Sequence, residues 1–301
     1  MLEPLEACNL RCAGCGRVRE YREHQAFRLS VDQALAVADG AGAPVVSVSG
    51  GEPLLHPGIA DIVRGLVEGR RWVFLCTNGL LLRESLPKFR PHERLCFVVH
   101  LDGTAHVHDA VTGRPGSYAE AIAAIREARA RGFRVCTNTT VFHGSDPDDL
   151  RQLFRTLVGL GVEGIMLSPG YAYEQVAEQE LFLRREEAVR AFRAILNGKD
   201  RFPFYDNPLF LDFLRGERAY DCAAWAVPTY TVLGWRKPCY LIADEHVSSL
   251  EELLVPQLWQ RYGPGRDPRC AGCMLHSGFE PASVLDALGH PWRLVRRRRW
   301  S

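Results

Sequence analysis

Short apolar runs alternate with amphipathic stretches over about the first 170 residues, and this alternation leaves few folds open. Residues 2–7, 44–49, 72–77, 96–101, 133–141 and 164–168 are rich in Val, Phe, Ile and Thr, which suit strands. The stretches between them carry helix signals. Ser30 with Gln33, and Ser117 with Glu120, read as capping boxes. Asp146-Pro147 reads as an N-cap followed by Pro at the first helical position, with Gly161 past the last turn. Ile59, Ile62, Val63 and Leu66 share one helical face. Six β-α units in series predict an α/β fold with a parallel sheet and right-handed crossovers. Six are too few for an eight-fold barrel but suit an open, partial (β/α)6 TIM-like barrel.

The pattern changes after Tyr173. Residues 180–198 look helical and charged, and from about Arg201 the chain turns Pro- and aromatic-rich, with four cysteines. The expected division is a barrel domain over 1–200 and a small cysteine-containing domain over 201–301 that covers the open side. No apolar run approaches the ~20 residues needed to span a bilayer. MLEPLEACNL lacks the basic and apolar regions of a secretory signal, so a reducing, cytoplasmic setting is expected. A net charge of +1 gives no general pull toward nucleic acid.

Ten cysteines then need a reason, since a chain of 301 residues can build a core without disulfide staples. Clustered thiols in a reducing compartment bind metal more often than they pair. Cys8-x3-Cys12-x2-Cys15 follows the first expected strand, with Gly14 and Gly16 to let the backbone wrap. Three thiolates so spaced can hold three irons of a [4Fe–4S] cluster and leave the fourth open, as a catalytic site requires. The alternative is a structural zinc with a distant fourth ligand. Other chemistry-bearing residues also fall at expected strand ends, where barrels of this kind do their work: Gly50-Gly51-Glu52-Pro53, Thr77-Asn78, Asp102, Asn138 and Ser168.

The cysteine triplet followed by Gly50-Gly51-Glu52-Pro53 resembles the radical S-adenosylmethionine (SAM) superfamily. The resemblance implies that the open iron chelates the amino and carboxylate groups of SAM. It implies too that the GGEP turn receives the methionine ammonium, with Glu52 adding negative charge. Gly14 stands where the superfamily usually has an aromatic near adenine, so adenine is expected to be held from the fifth and sixth strands. Asn78, Asp102, Asn138 and Ser168 are candidates for the ribose hydroxyls and the carboxylate end of SAM. Capping and turn formation are the plainer roles for the Asn and Asp residues.

A closer resemblance covers most of the chain. LEPLEACNLRCAGCG, VFLCTNGLLL, SPGYAYE, NPLFLDFLRGE, LGWRKPCYL and DPRCAGCMLHSGFEP are similar to the adenosylhopane synthase family of hopanoid biosynthesis. That family implies cleavage of SAM to a 5′-deoxyadenosyl radical, which adds to the terminal alkene of diploptene and forms a C–C bond. An apolar triterpene substrate follows, with an electron donor such as a flavodoxin or a ferredoxin. Two departures are Ser277, where the family tends to carry Cys, and an arm ahead of the first strand that the given sequence does not include. In the same family the cysteine of LCTN, here Cys76, is the proposed hydrogen-atom donor to the adduct radical. Read from its residues alone, Cys76 is a small apolar residue in a strand, as are Cys96 and Cys136. His100, His106 and His108 read as surface or supporting histidines, because nothing completes a metal site with them.

Cys222-x11-Gly234-x4-Cys239, with Cys270-x2-Cys273, resembles part of the auxiliary-cluster motif of radical SAM enzymes. Four thiolates could hold a second [4Fe–4S] cluster or a tetrahedral zinc, and Ser277 stands where a further ligand could have been. Trp292, Arg293, Arg296–Arg299 and Trp300 would suit anionic lipid headgroups, or form a solvated tail. The leading reading is adenosylation of a hopene. The alternatives are a radical SAM enzyme with an auxiliary cluster acting on a peptide or another lipid, and a non-catalytic Fe–S or zinc protein.

Overall fold

The computed structural model describes residues 1–198 and 200–295. Five parallel strands, β1 (Val45–Val48), β2 (Trp72–Thr77), β3 (Leu95–His100), β4 (Arg134–Val141) and β5 (Gly164–Pro169), lie side by side in sequence order. Helices cover the outer face. Val73 and Leu75 of β2, Phe97 and Val99 of β3, Val135 of β4 and Ile165 and Leu167 of β5 point outward, into one core with Ile62, Leu66, Ala124, Ile125, Leu153 and Phe154. Each large side chain so buried contributes ~1.5–3 kcal/mol. The alternate positions point inward and form a second, smaller cluster: Phe74, Cys76, Cys96, Val98, Cys136 and Met166. This is the expected curled half-barrel, whose period-2 alternation separates packing from lumen.

The first expected strand is not regular. Residues 2–7 run beside β1, with Leu2 N–H donating to Ser47 O, Gly51 N–H to Leu5 O and Glu52 N–H to Ala7 O. Pro4 has no N–H to give, and its carbonyl and Leu5 turn away to pair with Leu29 and Arg28. Leu2 also bridges Tyr230, so this segment ties the barrel to a three-stranded antiparallel sheet of β6 (Tyr230–Thr231), β7 (Gly234–Pro238) and β8 (Ala243–Val247). On the far edge, β5 pairs with residues 203–205. Tyr205 then meets Phe74 edge-on, ring centroids 5.7 Å apart, across the base of the lumen.

Most cap signals hold. Ser30 and Gln33 form a reciprocal box at the Val31–Gly40 helix. Asp146 caps the Pro147–Gly159 helix, and Gly161 follows with φ +73°. Ser117 with Glu120 is a correction. Gly116 is the N-cap of the Ser117–Ala130 helix, and Asp109 binds the amides of Gly116 and Tyr118 instead. The Asp109 carboxylate suits the positive end of the helix, and Glu120 is drawn off to Arg114. The 180–198 expectation narrows to a helix over Arg185–Leu196. Among the described residues, no helix is long and apolar enough to cross a membrane. Residues 296–301 of the basic tail lie outside the described residues.

Candidate active site

The three leading cysteines sit on the loop between residue 7 and the Gly16–Glu20 helix, each partly exposed. Ala13 N–H donates to Val111 O at 2.8 Å, and the Arg19 guanidinium holds the carbonyls of Cys12 and Cys15. The thiols are close enough to influence one another's charge. Burial pushes the Cys8 thiol up to about 11, with Glu52 and Cys15 adding to it. Cys12 goes up further, through burial and then Cys15, Asp102 and Cys8. Such a set of mutually repelling thiols suits cationic iron, which stabilises the thiolate form. Three cysteines on one loop, each able to give a thiolate, suit a cluster in which each takes its own iron.

The strand ends close around this loop. A Cβ added at Gly50 would stand 2.2 Å from Leu5 O, and one at Gly51 2.1 Å from Ala7 O, so only glycine lets this turn lie against the cysteine segment. Pro53 opens the short turn that follows. Glu52 is buried beneath. Its Oε1 accepts from Leu54 N–H and Thr77 Oγ1, and its Oε2 from Asn78 N–H at 2.8 Å. Burial raises the Glu52 carboxyl to about 7 against those three bonds. Glu52 therefore braces the GGEP turn to the end of β2. Asn78 donates to Asn9 at 2.7 Å and lies 4.0 Å from Cys8 Sγ.

Asp102, Asn138 and Ser168 are placed by β3, β4 and β5. His100 Nε2 lies 2.7 Å from Asp102 Oδ2, Thr140 N–H donates to Asp102 Oδ1, and Asn138 Nδ2 reaches His100 Nδ1 at 3.5 Å. Burial pulls His100 down, but the Asp102 carboxylate outweighs it and the imidazole ends raised. His108 is lowered to about 4, mainly by burial, and supports Asp102 from behind. Ser168 is buried at the end of β5.

The group facing Gly14 comes from the end of β4. A Cβ at Gly14 would approach the Phe142 ring to 2.8 Å, and Phe182 packs behind that ring at 6.1 Å. Phe142, Ala13 and Asp102 line a cavity of about 140 Å³ beside the cysteine loop.

Cys76 points into the lumen from β2, opposite Val98, with Ser47 Oγ 3.5 Å from its sulfur. Burial pushes this thiol up to about 11. Cys96 and Cys136 are fully buried at the lumen base, as expected of packing residues.

The later cysteines also converge. Cys222, Cys239, Cys270 and Cys273 line one cavity with Tyr171 and Ser277. Burial, then Cys222, Cys239 and Cys270, raise the Cys273 thiol. Cys273→Ala, or Cys222→Ala, is expected to lower bound iron and to lower the melting temperature, as ligands of a folded site should. Iron analysis and thermal melting check this; unchanged values in both variants would remove the site.

Sequence reasoning missed a buried network between the two cysteine groups. Arg17 pairs with Glu3 at 2.6 Å and lies over the Tyr240 ring at 4.5 Å. Arg236 donates to Tyr21 Oη, Glu20 and the carbonyl of Cys239. Glu6 is buried with neither carboxylate oxygen hydrogen-bonded in the described structure, and burial beside Glu3 raises it well above the usual range. The available signal was the pair of glutamates in an otherwise apolar, strand-like run.

Residues 2–157 match the family described as the radical SAM superfamily. The chain belongs to the radical SAM superfamily. It is a radical SAM enzyme, and its cofactors are those of that family, a [4Fe–4S] cluster and SAM. Residues 165–297 match a domain of unknown function, DUF3463. AdoMet-dependent heme synthase of Methanosarcina barkeri is 35% identical over 139 residues, 44% of this radical SAM chain and 40% of that protein. The subtilosin biosynthesis protein AlbA of Bacillus subtilis is 25% identical over 288 residues, 87% of the chain and 61% of AlbA. The chain thus spans 40% and 61% of these two curated relatives. Among solved structures, SuiB of Streptococcus suis bound to the precursor peptide SuiA shares the fold, with TM-score 0.68 and 12% identity over 92% of this chain and 69% of that one. So does anSMEcpe bound to AdoMet and the Cp18Cys peptide, with TM-score 0.62 and 15% identity over 92% of this chain and 86% of that one.

Proposed function

We propose that this radical SAM enzyme adds a 5′-deoxyadenosyl group to an alkene held in the half-barrel, with a hopene such as diploptene as acceptor. The observation that carries the reading is the lumen. Its inward side chains are apolar: Phe74, Val98 and Met166, with the Cys96 and Cys136 thiols buried at the base and the partly exposed Cys76 thiol nearer the mouth.

Cys8, Cys12 and Cys15 would hold the cluster. Gly50 and Gly51 present close backbone, and Asn78, Asp102, Asn138 and Ser168 line the strand ends for the polar parts of SAM. When bound, the reduced cluster and SAM supply the 5′-deoxyadenosyl radical. Addition to an alkene leaves a carbon radical on the acceptor, which needs a hydrogen atom. The Cys76 S–H bond breaks, the C–H bond forms, and a thiyl remains. One electron from the external donor and one proton restore the thiol. Burial keeps Cys76 protonated at neutral pH, the form that can give a hydrogen atom. Ser47 holds its direction. Cys222, Cys239, Cys270 and Cys273, which line one cavity, would hold a second cluster.

The second reading is a peptide acceptor, and the relatives favour it. AlbA acts in biosynthesis of a bacteriocin, and SuiB and anSMEcpe were solved with peptides. A peptide brings backbone N–H and C=O groups that must find partners when buried. The lumen's apolar side chains supply few, which favours an alkene. The test is incubation of the reconstituted protein with SAM, reductant and diploptene, followed by mass spectrometry. The expected product is diploptene plus one deoxyadenosyl group and one hydrogen. Rapid release of 5′-deoxyadenosine with diploptene untouched would overturn the acceptor and leave the peptide reading.

A further inference from the structure

The lumen is apolar along β3–β5, but its β1 edge is polar. Val46 and Val48 pack in the outer core, so Ser47 and Ser49, one residue on from each, face inward. Leu2 packs in that core beside Val48, and Glu3 after it turns inward. Ser47 Oγ lies 3.5 Å from Cys76 Sγ. Glu3 is fully buried, and its Oε1 accepts from Arg17 at 2.6 Å. Burial raises the Cys76 thiol, and the Glu52 and Glu3 carboxylates add to it. Among the described residues, Glu3 Oε2, both carboxylate oxygens of Glu6, Ser49 Oγ and Arg17 Nε and Nη1 are buried without a hydrogen-bond partner. The network meets solvent at Glu20, 3.7 Å from Arg17 Nη1 and 16% exposed.

A buried thiol needs a path for protons. In the proposed reaction the Cys76 thiyl takes one electron and one proton at every turnover. Buried polar atoms without protein partners are where internal water binds, each water making about three hydrogen bonds. Glu3 Oε2 with Ser49 Oγ, and Glu6 with Arg17, offer such acceptors and donors. Glu52 is the other carboxyl near the thiol, but its oxygens already accept from Leu54, Thr77 and Asn78. We propose that Glu3 and Ser47, joined by bound water, carry solvent protons to Cys76. Glu3 gives a proton to the water and the water gives one to Ser47 Oγ. Ser47 passes its own hydroxyl proton to the sulfur as the electron from the external donor arrives, and the S–H bond forms. The Glu3 carboxylate regains a proton from solvent through water held around Arg17 and Glu20. Arg17 keeps its charge and holds Glu3 in place.

The inference rests on the hydrogen-donor reading of Cys76, but its test reads the thiol proton itself, with neither SAM nor acceptor present. The cluster-loaded protein is moved into deuterated water. Loss of the infrared S–H band is followed as a difference against the same protein carrying Cys76→Ala. Ser47→Val suits a strand and puts a methyl where the hydroxyl, or a water replacing it, would stand. It is expected to slow loss of the band at least ~10-fold, as is Glu3→Gln. A merely structural role would loosen the lumen and speed exchange instead. Glu3→Asp keeps the charge beside Arg17 but shortens the reach, so its rate should fall between those of parent and Glu3→Gln. Where Glu3→Gln does not fold by circular dichroism, Glu3→Asp decides. Exchange as fast as the parent's, or faster, in Ser47→Val or in the deciding Glu3 variant would overturn the path. The donor role falls separately, if Cys76→Ala leaves the product unchanged.

Discussion

Cys12→Ala is expected to reduce 5′-deoxyadenosine formation to background. Groups that merely support a metal ligand cost 10–100-fold when removed, so loss of a ligand itself should cost at least ~100-fold. The fold should survive. Cys12 is partly exposed, and its loop stays pinned by the Ala13–Val111 bond and by Arg19 on the Cys15 carbonyl. The expected pattern is thus an intact circular dichroism spectrum, reduced iron, and no SAM cleavage by liquid chromatography. A purified variant that still releases 5′-deoxyadenosine at the parent rate would show that the triplet Cys8, Cys12 and Cys15 is not the cluster site.

The same triplet shows why much of this site is legible in the linear sequence. Cys8, Cys12 and Cys15 lie on one loop, and Gly50-Gly51-Glu52-Pro53 on one turn, so their spacing is written locally. The strands are legible because inward and outward residues alternate, as Phe74 and Cys76 do against Val73 and Leu75. What escapes is long-range exchange of partners. Gly14 lacks a side chain, and the aromatic that faces it is Phe142, from the end of β4. Ser117 loses its cap to Asp109, eight residues earlier, because a carboxylate accepts several amides at once. Residues 2–7 read as a strand, yet serve as a seam between two sheets, because Pro4 and Leu5 turn to different neighbours. Arg236 is charged and fully buried, and nothing near it in sequence announces Glu20 or Tyr21 as its partners.

Cys76→Ala separates radical generation from radical quenching. Cys76 is outside the triplet, so the cluster should assemble and SAM should still be cleaved. Removing one sulfur from the lumen face should cost about 1 kcal/mol of stability, the centre of the range for single substitutions. The adduct radical then lacks its donor. Alkene consumption should continue, with product formed slowly, misdirected or mixed in configuration. Deuterated water sharpens the test. A thiol exchanges its proton with solvent, so the parent product should carry deuterium at the quenched carbon, whereas hydrogen taken from carbon sites in the variant would not exchange. The pH response has a definite sign. Only the protonated thiol can donate, and an ordinary cysteine would lose that form near pH ~8.5. Burial raises Cys76 to about 11, so quenching in the parent should stay level well past pH 9 and fall only as the thiolate forms. If Cys76→Ala gives the same product at the same rate, with one configuration and full deuterium, Cys76 is a packing residue and the donor lies elsewhere.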